Sequence, residues 1–114
     1  MLTIEKLQEF GVNTQEGLGR CMGNEGFYLK LVGMAAADGN FEKLSAAIEA
    51  GDLDGAFEAS HALKGVLGNL SLTPLYAPAS EMCELLRART DTDYAPLLEQ
   101  LLEAKDALTG MMAE

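Results

Sequence analysis

The chain has 114 residues and a formal net charge of −10 at pH 7, from 18 acidic and 8 basic side chains. This length supports one domain with a modest core, and the acidic surplus argues against binding to nucleic acid or to an anionic membrane surface. No run approaches the roughly 18 apolar residues of a membrane span, and the amino terminus lacks the pattern of a signal peptide, so we expect a cytoplasmic protein.

The residue types favour an all-α fold. Tryptophan is absent, only three residues are proline, and 48% of the chain is hydrophobic. Many residues are of the types that lose little conformational freedom in a helix. We therefore predict an antiparallel, up-and-down four-helix bundle with one or two short accessory N-terminal helices. Residues 1–114 would form a single domain, with an accessory segment at 1–23 and the bundle at 24–114.

Capping residues mark the first helices. Residues 1–23 carry a short apolar set followed by glycines, which indicates a short helix and a packed lead-in. Asn24 provides an N-cap for a helix that runs to about Ala37. The following helix stops at Gly51, and Asp52 is placed to cap the next one.

The helix predicted from Leu53 to about Leu70 contains the only histidine of the chain. Its apolar residues form one stripe, and His61 projects roughly 120° from the middle of that stripe on a helical wheel. We therefore expect His61 to face solvent. Lys64 lies nearer the edge of the stripe, where its stem can cover apolar surface while its ammonium reaches toward His61.

Two further helices complete the bundle. Thr73 is predicted as an N-cap, with Pro74 at the first position of a helix that ends near Arg89 and runs antiparallel to its predecessor. Residues 90–93 form a capping cluster before a last helix that begins near Tyr94. No extra apolar stripe is left over, so we expect a monomer.

Two glycines share the exposed side with His61. Gly65 and Gly68 follow the histidine by four and seven residues, which places all three on one side of the helix. A glycine inside a helix costs roughly 0.5–1 kcal/mol relative to alanine, so two of them need a compensating role. We infer that bare backbone beside the imidazole leaves room for the active-site loops of another protein.

This arrangement suits phosphoryl chemistry. A neutral imidazole is a competent nucleophile, and an exposed imidazole is mostly neutral near pH 7. Attack on a phosphoryl group depends mainly on positioning and on a cation that offsets charge on the phosphoryl oxygens. Lys64 is placed to supply that cation.

Residues 61–65, His-Ala-Leu-Lys-Gly, resemble the H-x-L-K-G signature of histidine-containing phosphotransfer (HPt) domains. The resemblance extends over most of the chain, since residues 52–72 fit the family's phosphohistidine helix and residues 73–89 resemble its partner in the central hairpin. It implies that His61 accepts a phosphoryl group from an aspartate of one receiver domain and passes it to another. Lys64 would be the assisting cation, and Gly65 the close-approach position with Gly68 in support.

Three neighbouring positions bear on the resemblance: Arg87 agrees with it, whereas Cys83 and Ser71 depart from it. Arg87 falls where some members carry a second basic residue, and it also fits a solvated charge at a helix end. Cys83 stands where many members have a glutamine that orients the imidazole, and Ser71 stands where a glycine is usual. From the residues alone, Cys83 and Cys21 are best interpreted as packing residues, because two distant cysteines suggest neither a disulfide framework nor a metal site.

These features predict a phosphohistidine intermediate of a two-component multistep phosphorelay. Its partners would be receiver domains of response regulators and of hybrid sensor histidine kinases, docking on hydrophobic ground around His61. The sequence has no nucleotide-binding loop, so we expect a phosphocarrier that is not an enzyme and has no cofactor of its own. The resemblance implies that Mg²⁺ is bound by the receiver.

Two alternatives stay open at this point. A non-catalytic interaction domain would keep the bundle and the docking face without carrying phosphate, and Cys83 and Ser71 favour this alternative. A metal or haem bundle is disfavoured, because one histidine without an i, i+3 carboxylate partner cannot build the usual set of ligands. A histidine alone is more often an ordinary surface residue, and only its combination with Lys64 and two glycines favours the phosphocarrier.

Overall fold

The computed structural model describes residues 1–114 and is all-helical, with seven helices and no strand. The helices are α1 (Ile4–Phe10), α2 (Thr14–Arg20), α3 (Glu25–Ala36), α4 (Asn40–Ala50), α5 (Leu53–Asn69), α6 (Thr73–Arg87) and α7 (Ala95–Ala113). Helices α4 to α7 form the bundle: α5 packs between α4 and α6, and α7 packs on α6, α3 and α4. The prediction of an all-α bundle with short accessory N-terminal helices is confirmed.

Side-chain caps set several of the helix ends where the sequence predicted them. Asn24 Oδ1 accepts a hydrogen bond from the Phe27 N–H at 3.0 Å, and Asp52 Oδ1 accepts one from the Gly55 N–H at 3.0 Å. Gly51 ends α4 with a φ of 72°, a left-handed conformation that costs glycine little. The bend between α4 and α5 is therefore specified locally.

The predicted N-cap of α6 is wrong by one residue. Thr73 is the first helical residue, and Leu72 occupies the N-cap position without a side-chain hydrogen bond. The Thr73 hydroxyl instead donates to the Ser71 carbonyl at 3.4 Å. The helix also ends at Arg87 instead of near Arg89, because Arg89 adopts a left-handed φ of 52° in the turn that follows.

One face of α5 is buried in the bundle core, and the other is exposed to solvent. Ala56, Ala59, Leu63 and Leu67 are buried in the bundle core. Ser60 is buried with them, and its hydroxyl donates to the Phe57 carbonyl at 3.1 Å, so no polar group is left unpaired. The opposite face of this helix, which carries His61, points to solvent.

The helix α3 joins the accessory segment to the bundle. The Tyr28 side chain is fully buried, and its hydroxyl donates to the Leu70 carbonyl at 2.7 Å. Gly17 of α2 packs against the Tyr28 ring so closely that a Cβ there would lie 2.5 Å from a ring carbon. Tyr28 thus fixes α2 and α3 against the end of α5.

The outer side of α3 departs from one expectation. Phe27 is 50% exposed and Met34 is 60% exposed, and the half-buried Leu31 lies between them on the same helical face. The assumption that no apolar stripe is left over is therefore wrong. None of the seven helices has the length and apolar character needed to cross a membrane.

Candidate functional site

His61 lies in an open groove of about 610 Å³ between α5 and the accessory segment. One wall belongs to α5 and carries His61, Lys64, Gly65 and Gly68. The expectation that His61 faces solvent is confirmed, because its side chain is exposed. Only one of the residues that line the groove, Tyr76, has an apolar side chain, so the expected hydrophobic ground is not found in the groove itself.

Two neighbours hold the imidazole in place. The Phe57 ring stacks on the His61 ring with centroids 5.6 Å apart and planes inclined by 19°. On α6, Cys83 Sγ lies 4.0 Å from His61 Nδ1, and the Cys83 side chain is fully buried. The Nε2 atom makes no hydrogen bond to the protein and remains free to react.

Lys64 lines the groove, but its ammonium is paired with α6. Lys64 Nζ lies 3.6 Å from Glu84 Oε2, and Arg87 Nε donates to the same oxygen at 3.2 Å. The hydrogen bond from Arg87 lowers the pKa of the Glu84 carboxyl below its usual range, and the charge of Lys64 adds to this effect. Glu84 is therefore a carboxylate shared by two cations.

Arg87 does not line the groove. Its guanidinium carbon lies 5.1 Å from the centroid of the Phe57 ring, the ring that stacks on His61. This contact has cation–π geometry. Arg87 is thus connected to the histidine through Phe57 and to Lys64 through Glu84, without reaching the groove itself.

The two glycines of α5 have different surroundings. A Cβ on Gly65 would meet no atom of the chain within 4 Å, so nothing inside the protein requires glycine there. A Cβ on Gly68 would lie 3.1 Å from the Tyr76 ring of α6, which is closer than ordinary contact. Gly68 therefore has a packing role within the bundle in addition to lining the groove.

The opposite wall of the groove includes residues that sequence reasoning missed. Arg20 Nη1 donates to the carbonyls of Gly68 at 2.6 Å and Asn69 at 3.2 Å, and to the Ser71 hydroxyl at 3.2 Å. Glu16 forms a 3.0 Å salt bridge with Arg20 and accepts a 2.9 Å hydrogen bond from Ser71. The i, i+4 spacing of Glu16 and Arg20 was the one available signal, and it gives no indication of the distant partners.

Ser71 has a backbone conformation that is unusual for serine. Its φ is 56°, in the left-handed region that glycine adopts with least strain. Glycine is the residue that the resemblance leads us to expect at this position. In this chain the hydroxyl of Ser71 contacts both Glu16 and Arg20, so the strained residue also ties α2 to the turn after α5.

Comparison with known proteins assigns the family. The family model described as the Hpt domain matches residues 34–112, which is well over half of the chain and includes His61, Lys64 and Gly65. No curated protein and no solved structure matches the chain. Hpt domains carry out histidine phosphotransfer in two-component phosphorelays, and their fold is the helical bundle found here. The chain therefore belongs to the Hpt domain family.

Proposed function

We propose that this protein is a phosphocarrier in a multistep phosphorelay and that His61 is the residue that carries the phosphoryl group. The observation that supports this most directly is the environment of the imidazole. The ring is exposed in an open groove, is held by Phe57 and Cys83, and keeps Nε2 unpartnered. Family membership supplies the reaction class.

The proposed reaction is a transfer between a receiver aspartate and His61. The lone pair of Nε2 attacks the phosphorus of the aspartyl phosphate, so that an N–P bond forms as the P–O bond to the carboxylate breaks. The electron pair of the broken bond leaves with the carboxylate. Nδ1 keeps its proton on the side of Cys83, and the ring becomes a phosphoimidazolium. When a second receiver aspartate attacks the phosphorus, the N–P bond breaks and the neutral imidazole leaves with the electron pair on Nε2.

The chain contributes positioning and charge to this step. Lys64 lines the groove beside His61 and supplies the cation that offsets charge on the phosphoryl oxygens. Gly65 leaves open space next to the imidazole, which lets the backbone of a partner approach closely. Mg²⁺ and the acceptor aspartate belong to the receiver, and the carrier needs no cofactor and has no kinase activity of its own.

The proposed partners are receiver domains of response regulators and of hybrid sensor histidine kinases, met in the cytoplasm. A net charge of −10 leaves nucleic acid an unfavourable partner. The polar lining of the groove suits a transient complex, since a carrier must release each partner after transfer.

The proposal is tested by transfer of label. Receiver domains phosphorylated with radiolabelled acetyl phosphate are mixed with the protein, and the product is checked for an acid-labile, base-stable phosphoryl group. We expect labelling of the wild type and none of His61→Gln. Equal labelling of His61→Gln overturns the assignment of His61. Binding of receivers without any labelling overturns the carrier and leaves the interaction domain as the function.

A further inference from the structure

The carboxylate of Glu84 lies between two cations at the edge of the proposed phosphoryl site. Its Oε2 atom is 3.6 Å from Lys64 Nζ and 3.2 Å from Arg87 Nε. Neither cation has another carboxylate partner within salt-bridge distance. Before phosphorylation, the Lys64 ammonium and the Arg87 guanidinium therefore share one acidic side chain.

A phosphoryl group on His61 changes this balance. It brings close to two negative charges and strong acceptor oxygens into the groove that Lys64 lines. Lys64 can then pair with the phosphoryl oxygens only in competition with Glu84. The Glu84 carboxylate also repels the phosphoryl group directly, since both are negative. Both effects make phosphorylated His61 less stable than it would be with Lys64 free.

We propose that Glu84 is a positioning residue that acts through Lys64 and Arg87 to raise the phosphoryl-transfer potential of His61. This inference rests on the proposed function. By competing for the two cations, Glu84 prevents them from stabilising the phosphohistidine fully. The site can then exchange phosphate with aspartates in both directions, replacing the N–P bond of the histidine by the O–P bond of the aspartate or the reverse.

The first experiment measures the exchange equilibrium between phosphohistidine and a phosphorylated receiver. We expect Glu84→Gln to shift it toward phosphohistidine by about two- to five-fold, since exposed ion pairs have modest energies. Glu84→Asp should remain close to the wild type. Glu103→Gln is the matched control, because Glu103 is an exposed glutamate of α7 that makes no salt bridge.

Two further conditions separate a role through Lys64 from a structural effect. In a Lys64→Gln background the shift caused by Glu84→Gln should become smaller, because only Arg87 and the direct repulsion remain. At 1 M NaCl the shift should fall below about 1.5-fold, because all of these charges are screened. An unchanged equilibrium in Glu84→Gln overturns the proposal. So does an equal shift in Glu103→Gln, or a shift that is undiminished without Lys64.

A second experiment needs no receiver. His61 is phosphorylated with phosphoramidate, and the NMR signals of the Lys64 ammonium and its adjacent carbon are compared before and after. We expect a larger change in Glu84→Gln, where the ammonium is free to pair with the phosphoryl group, than in the wild type, where Glu84 competes for it. A change in the wild type as large as that in Glu84→Gln overturns the role of Glu84. Failure of the proposed function is recognised separately, as absence of transfer from every receiver while phosphoramidate still labels His61.

Discussion

The sulfur of Cys83 lies 4.0 Å from Nδ1 of His61 and is fully buried beneath the exposed imidazole. A thiol sulfur is a weak hydrogen-bond acceptor. In the proposed mechanism the proton is on Nδ1, facing this sulfur, and the lone pair is on Nε2, which makes no hydrogen bond to the protein. Cys83 is thus the one side chain of α6 that contacts the imidazole within hydrogen-bonding distance, and it does so as a weak partner.

Removal of the sulfur should slow transfer without unfolding the protein. We expect Cys83→Ala to lower the initial rate of phosphoryl transfer by about three- to ten-fold. This is less than the roughly 10²–10⁴-fold contribution of a group that itself transfers the proton, because a thiol sulfur only orients the ring and is a weak acceptor. Cys83→Ser, which keeps an acceptor atom, should stay within about two-fold of the wild type. Long-range ¹H–¹⁵N spectra of His61 provide the decisive reading, since a mixture of tautomers is expected in the alanine variant only. Identical tautomers in all three proteins contradict the role of Cys83.

Alanine at the two glycines of α5 should separate stability from function. Gly65→Ala meets open space, so we expect it to raise the free energy of unfolding by about 0.5–1 kcal/mol. Its transfer rate should fall, because the added methyl group occupies the space proposed for the partner. Gly68→Ala should gain less stability, because its Cβ presses on Tyr76. Urea unfolding and transfer rates test both expectations, and a Gly68→Ala variant more stable than Gly65→Ala contradicts them.

Much of α5 could be predicted because its signals are local. The apolar stripe determines which face is buried, Asp52 fixes the start of the helix, and the exposure of His61 follows from the angle between it and the stripe. The partner of Lys64 could not be predicted in this way. Glu84 lies on α6, and whether it meets Lys64 depends on the rotation and offset of two packed helices, which no short pattern encodes.

The groove shows the same division. Its α5 wall follows from spacing along one helix, whereas the contribution of Arg20 depends on hydrogen bonds to backbone carbonyls 48 and 49 residues away. Every residue has a backbone carbonyl, so the sequence does not indicate which carbonyls Arg20 contacts in the folded chain. The left-handed φ of Ser71 could not be predicted either. A glycine in a turn indicates a left-handed conformation, whereas a serine gives no such indication.

Substitutions at Ser71 should distinguish backbone strain from side-chain contacts. Ser71→Ala keeps the left-handed strain and loses the contacts to Glu16 and Arg20, so we expect a loss of about 1–2 kcal/mol in the free energy of unfolding. Ser71→Gly loses the same contacts but relieves the strain, and should be about 1 kcal/mol more stable than Ser71→Ala. Urea titration of the two variants and the wild type measures both differences. Equal stability of the glycine and alanine variants would show that the backbone conformation carries no strain.

The stability of the protein should depend on Tyr28 at high pH. Burial, with a contribution from nearby Cys21, raises the pKa of Tyr28 from 10.0 to about 12. Between pH 10 and about 12, the Tyr28 hydroxyl therefore keeps its proton in the folded state but has lost it in the unfolded chain. The resulting stabilisation is fully present below pH 10 and is lost as the pH rises from 10 to about 12, by at most about 2–3 kcal/mol.

Tyr28→Phe provides the matched comparison. At pH 7 the free energy of unfolding of this variant should be about 1–2 kcal/mol lower than that of the wild type, because the buried Leu70 carbonyl loses its hydrogen-bond donor. Between pH 10 and 12 the two proteins should converge, since only the wild type can lose the tyrosine contribution. Denaturant unfolding at stepped pH values measures this, and parallel curves over the whole range would rule out Tyr28 as the titrating group.

The guanidinium of Arg20 caps the last carbonyls of α5 from a helix near the amino terminus. If α2 detached, these carbonyls would lose the Arg20 donor and be exposed to water, and the last turn of α5 would be destabilised. We therefore expect α2 and the last turn of α5 to open as one cooperative unit. Amide hydrogen exchange in α2 and in the closing turn of α5 would then report a common opening free energy, although the two stretches are far apart in the chain.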